Sequence, residues 1–148
     1  MSLFTGIEIS SSGLSAQRLR LDVISSNIAN AETTRTGELD ENGNPVPYRR
    51  KNVVFEFGTP FNVYLKNKIS RLGGVRVSRI VEDPSEPRLV YNPDHPDADA
   101  EGYVRMPNVN VLTEMVDLIS ATRSYEANVT TLNATKEMFL RALEIGRS

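Results

Sequence analysis

Residues 111–143, VLTEMVDLISATRSYEANVTTLNATKEMFLRAL, repeat their apolar positions every seven residues without a slip. Val111, Leu118, Tyr125, Leu132 and Phe139 make one row, and Met115, Thr122, Val129, Lys136 and Leu143 make a second. Only Thr122 and Lys136 depart from apolar character; a lysine stem can lie along an apolar seam while its ammonium reaches water. A strict heptad kept for more than four repeats predicts one long helix with a coiled-coil seam. Asn108 or Asn110 can cap its start, with Pro107 just before and Gly146 just past its end.

Working outward, the N-terminal segment carries the same period more faintly. Ile7, Leu14, Leu21 and Ile28 fall seven apart, with Leu3, Ile24 and Ala31 in a matching row. This predicts a second helix from Leu3 to Ala31 with one narrow apolar stripe. Ser10-Ser11-Ser12-Gly13 is its weak spot, where the helix is expected to start late, bend or break, because Ser and Gly disfavour helix interiors.

The middle changes character. Asp40-Glu-Asn-Gly-Asn-Pro is turn chemistry, with Asn42-Gly43 suited to a tight hairpin turn. Val53–Phe57, Val75–Val81, Arg88–Tyr91 and Tyr103–Met106 read as short strands, punctuated by Gly73-Gly74 and by the prolines from Pro84 to Pro107. Some 60 residues form only a small core. The fold class is therefore α+β, with long N- and C-terminal helices and a small β module between them. Three parts follow: a helix over 1–33, a linker and β module over 34–107, and a helix over 108–148.

The 148 residues are 39% apolar and 24% charged, with a formal net charge of −2. That balance gives no reason to expect nucleic acid, whose binders concentrate positive charge. The one basic run, Arg49-Arg50-Lys51, reads as a solubilising strand edge. Without cysteine, disulfides and thiolate metal sites are excluded. No apolar run approaches the roughly 20 residues that span a bilayer. The N-terminus lacks the basic region and apolar core of a cleavable secretory signal.

Nothing in the chain assembles a catalytic centre. The single histidine, His95, sits among turn formers in 92–102, with no nucleophile elbow and no phosphate-binding glycine loop. Asp97, Asp99, Glu101 and Gly102 imitate the opening of a calcium-binding EF-hand loop. However, Asn108 stands where the bidentate glutamate belongs, and a strand-like Tyr103–Met106 replaces the exiting helix. No catalytic residue, metal, cofactor or small-molecule substrate is expected. The rival reading is a coiled-coil-dimerised, β-rich binding module, calcium-dependent through that loop.

Gly13-Leu-Ser-Ala-Gln-Arg-Leu-Arg-Leu-Asp-Val-Ile-Ser-Ser-Asn27-Ile-Ala-Asn30-Ala-Glu-Thr33 resembles the N-terminal signature of flagellar rod and hook proteins, an Asn-apolar-Ala-Asn core followed by Thr. Ser124-Tyr-Glu-Ala-Asn128 resembles their C-terminal signature. The run from Asn92-Pro through Gly102-Tyr-Val-Arg-Met-Pro-Asn-Val-Asn110, together with the short length, is most similar to the proximal rod members of the flagellar basal-body rod family.

That resemblance implies terminal helices paired as an antiparallel coiled coil in an inner tube domain, with the β module outside. It implies a structural subunit of the proximal rod that polymerises through those helices into the torque-transmitting axial shaft. It further implies signal-less type III export from the cytoplasm to the periplasmic rod. The implied partners are other proximal and distal rod proteins, the basal-body protein joining rod to membrane ring, the export apparatus, and further copies of the chain. The residues assigned to the assembly interface are Leu14, Leu21, Ile24 and Ile28 on the first helix, and Met115, Leu118, Tyr125, Val129, Leu132, Phe139 and Leu143 on the last. Asn27 and Asn30 join them, three apart and so on one side of the first helix. Leu112, Ile119 and Leu140 lie beside the main stripe and are candidates for contacts with neighbours.

Overall fold

The computed structural model describes residues 3–40, 43–58 and 73–146. Its elements are α1 (Leu3–Ala29), β1 (Lys51–Phe57), β2 (Val75–Glu82), β3 (Arg88–Tyr91), β4 (Tyr103–Met106) and α2 (Val111–Ile145). β1 and β2 make one two-stranded sheet, and β3 and β4 another. Among the described residues, the middle therefore holds two two-stranded ribbons.

α2 starts where its cap dictates. The Asn110 side-chain oxygen accepts from the amides of Leu112 and Thr113, at 3.0 and 3.3 Å, so Asn110 caps the helix. Asn108 serves elsewhere, accepting from the Arg50 amide at 2.8 Å and donating to the Asp83 carbonyl at 3.3 Å.

α1 runs unbroken through Ser10–Gly13, against the expectation of a weak spot. The hydroxyls turn inward on the helix: Ser12 donates to the Ile9 carbonyl at 2.7 Å and Ser15 to the Ser11 carbonyl at 3.1 Å. Asn30 closes the helix by donating to the Ser26 carbonyl at 2.9 Å and accepting from the Thr33 hydroxyl at 3.2 Å. The Ser26 carbonyl thus accepts both the amide and the side chain of Asn30.

The chain divides into two compact units, each drawing on both helices. The first comprises Met1–Leu21, Val53–Arg79 and Ile119–Ser148; the second comprises Asp22–Asn52 and Ile80–Leu118.

In the first unit, Ser10, Gly13, Ala16, Ala121 and Thr135 are buried. A Cβ on Gly6 would lie 3.6 Å from Thr135 Cγ2, and one on Gly13 would lie 3.0 Å from Asn128 Oδ1. Gly74 brings the start of β2 onto α1, where the Val75 amide donates to Ser12 Oγ at 3.1 Å.

In the second unit, Ala31, Tyr48 and Val109 form a small apolar cluster, with Val23, Ile24 and Val104 also buried. β3 and β4 pair antiparallel with Val90 opposite Val104 and Tyr91 opposite Tyr103. The two tyrosine rings meet edge to face at 5.3 Å. Of the Asn42-Gly43 turn, Asn42 lies outside the described residues. Gly43 has φ of 80°, a conformation glycine adopts without strain, and its amide donates to the Asp40 carbonyl at 2.9 Å.

Candidate assembly surface

The most buried positions of α2 are Glu114, Ala121 and Thr135, with Asn128 half-buried in the same seven-residue row. This row lies one residue before the predicted row of Met115, Thr122, Val129 and Lys136, so the register differs from the sequence reading. The reason is steric. Gly6 and Gly13 offer no side chain, so α1 comes close where Thr135 and Asn128 face it. The larger apolar residues then flank that contact.

Leu118, Tyr125, Val129, Leu132 and Phe139 are half-buried, while Met115 and Leu143 are exposed. On α1, Leu14, Leu21 and Ile28 are half-buried and Ile24 is buried. Exposed apolar side chains are many on α2. Leu112 is 76% and Val116 67% exposed, and Val111, Ile119, Met138, Leu140 and Ile145 are exposed as well.

The polar centre of the second unit is Asn27, only 1% exposed. Its Nδ2 donates to the Lys51 carbonyl and to Glu114 Oε2, both at 2.9 Å. Its Oδ1 accepts from the Tyr48 hydroxyl at 3.0 Å and the Lys51 amide at 2.9 Å. A carboxamide has two donor hydrogens and two acceptor lone pairs, and all four are used.

Glu114, also 1% exposed, receives Arg50 Nε at 2.6 Å on its other oxygen. The same guanidinium reaches Asp117 at 3.4 Å and Asp83 at 3.9 Å. Lys51 Nζ sits 5.6 Å from the centre of the Tyr48 ring. The basic run read as solubilising therefore supplies, through Arg50, the counter-charge of a buried carboxylate. Tyr48, Arg50 and Glu114 were missed as site residues.

The acidic loop is tied into its own chain. Asp97 accepts from the Thr34 hydroxyl at 2.7 Å and pairs with Arg35. The Arg35 hydrogen bond, then that of Thr34, holds the Asp97 carboxyl below the usual carboxylate range. Asp99 Oδ1 accepts the amides of Glu101 and Tyr103, at 3.0 and 2.8 Å. His95 Nδ1 accepts the Asp97 amide at 3.1 Å. These side chains build a turn, and the rival binding-module reading gains no support from them.

The sequence matches one class of proteins toward both of its ends. Residues 7–35 match the model of the flagella basal body rod protein family, and residues 100–145 match that of the flagellar basal body rod FlgEFG protein C-terminal family. The chain is 54% identical over 152 residues to the flagellar basal-body rod protein FlgC of Bacillus subtilis, covering 99% of this chain and all of the relative. It is 48% identical to the protein of the same description from Borreliella burgdorferi, covering 98% of each chain. It is also 48% identical to that of Yersinia enterocolitica, covering 99% of this chain and all of the relative. The chain belongs to the FlgC family of flagellar basal-body rod proteins. It is a structural subunit of the proximal rod of the flagellar basal body.

Proposed function

We propose that the chain polymerises through its terminal helices, paired as an antiparallel coiled coil, to form the torque-transmitting shaft of the rod. The observation that carries this reading is the apolar face of α2, with Leu112, Val116 and Ile119 exposed. Each such side chain contributes about 1.5–3 kcal/mol when fully buried, so neighbouring subunits gain by covering them. The pairing is supported within the first unit, where Gly6 faces Thr135 and the later Gly13 faces the earlier Asn128. Repetition of a contact that does not close on itself builds a helical filament. A shaft of many packed helices resists twist better than one held by single joints.

The partners in this reading are other proximal and distal rod proteins and the basal-body protein that joins rod to membrane ring. The chain reaches the periplasm through the flagellar type III export apparatus without a cleaved signal.

Val116→Asp tests the role of the exposed face. The change puts a charge on a side chain that its own chain leaves uncovered. The purified variant should unfold at the wild-type temperature yet be missing from isolated basal bodies of a strain expressing it. Incorporation at the wild-type level would overturn the reading.

A further inference from the structure

The segment 43–51 returns along the end of α1. Locally it has the Tyr48 amide on the Thr33 carbonyl at 3.0 Å and the Thr36 amide on the Val46 carbonyl at 3.0 Å. Arg50 also donates its amide to the Asn108 side chain and accepts the Asp83 amide, while Tyr48 and Lys51 bond to Asn27, and Asn27 and Arg50 both bond to Glu114. Arg50 and Glu114 are 64 residues apart, and Asn27 and Glu114 are 87 apart.

We propose that residues 43–51 form a strap that closes over the end of α1 together with the first turn of α2, with the Glu114 carboxylate as the closing contact. The dependence runs both ways. A buried carboxylate is costly unless it is paired and hydrogen-bonded. The guanidinium that pairs with Glu114 is carried by the strap, so the first turn of α2 docks poorly while the strap is open. Conversely, with α2 undocked, one Asn27 donor and the Arg50 Nε–H lose their acceptor. Asn27 is the residue that fixes the Tyr48 hydroxyl and both backbone groups of Lys51.

Arg50 is also the cation among three carboxylates, Glu114, Asp117 and Asp83. Opening the strap therefore removes the cation shared by Glu114 and Asp117 of α2 and by Asp83 after β2. Closing contacts of this kind make two distant segments order as one cooperative unit rather than separately. The strap's state then reports whether the far end of the chain has folded, independently of any neighbour in an assembly.

Amide hydrogen exchange on the full-length monomer tests this with a variant from each side of the contact. Glu114→Gln keeps the size but turns one acceptor into a donor that faces Asn27 Nδ2 or Arg50 Nε. Tyr48→Phe removes a single hydroxyl from the strap and leaves its buried ring. The backbone amides of residues 48 and 51 report on the strap, those of residues 112, 113 and 114 report on α2, and those of β3 and β4 serve as reference. In Glu114→Gln, strap and α2 amides should both exchange roughly tenfold faster or more, the size of a lost buried hydrogen bond. In Tyr48→Phe, both sets should again accelerate together, by about threefold or more. In each, the ribbon amides should stay within about twofold of wild type. Acceleration confined to the mutated side would overturn the proposal. So would no change on either side, or equal acceleration of the ribbon.

Discussion

Gly13 of α1 and Asn128 of α2 face each other so closely that a Cβ on the glycine would lie 3.0 Å from the carboxamide oxygen and 3.2 Å from its nitrogen. Asn128 is itself anchored, donating to the Ser124 carbonyl at 2.9 Å. Gly13→Leu should therefore overpack the contact and cost about 1–3 kcal/mol in a denaturant unfolding experiment. Asn128→Ala in the same chain should recover part of that loss by making room. A leucine tolerated without cost would mean that the helices do not meet closely at this level.

The Ser12 hydroxyl accepts the Val75 amide where Gly74 touches α1, and a Cβ on Gly74 would overlap Ser12 Oγ. Ser12→Ala leaves that amide without its acceptor and should cost about 1–3 kcal/mol. Gly74→Ala should be worse, because the added methyl collides with the hydroxyl. Unfolding midpoints of the two variants check the order.

Much of this is legible in the sequence. The seven-residue period from Val111 to Leu143 marks a helix because apolar side chains recur on one side of it, and the strands at 53–57, 88–91 and 103–106 stand out between turn formers. The row that α2 buries most deeply was not legible. Glu114, Ala121, Asn128 and Thr135 are small or polar, so an apolar pattern passes over them. In the first unit their burial follows from the missing side chains of Gly6 and Gly13, more than a hundred positions away. Glu114 reads as an ordinary helix-start acid until Arg50 is found beside it. A signal did exist in Gly6, Gly13 and Asn27, which fall in one heptad row of non-apolar residues on α1.

Asp97 ties residues 34 and 35 to the 92–102 loop, and its carboxyl is held below the ordinary value, chiefly by the Arg35 hydrogen bond. A depressed folded-state pKa means the contact contributes fully above the unperturbed value of about 3.9 and is lost as pH falls through the folded value. An NMR titration should place the Asp97 midpoint below about 3.9, and Asp97→Asn should move it out of the curve. A midpoint at or above the unperturbed value would refute the clasp.

Among the described residues, His95 hydrogen-bonds within its own turn, through Nδ1 to the Asp97 amide and through its backbone to Asn92 and Ala98. His95→Ala should leave swimming speed in a complemented strain near wild type. A motility defect at normal protein level would point to a role for 92–102 beyond turn formation.

Leu132→Asp places a charge on a half-buried side chain of α2. Desolvating an unpaired carboxylate costs several kcal/mol, so rod assembly should fail. The β3–β4 ribbon, in the other unit, should keep its amide protection. Motile cells carrying this variant would remove Leu132 from the interface.

The most direct measurement is a side-chain-resolution density map of the assembled rod. Leu112, Val116 and Ile119 should each lie against helices of neighbouring subunits, buried where the single chain leaves them exposed. If those three side chains face solvent in the finished rod, α2 does not build the shaft through its apolar face, and the assembly contacts must be made elsewhere.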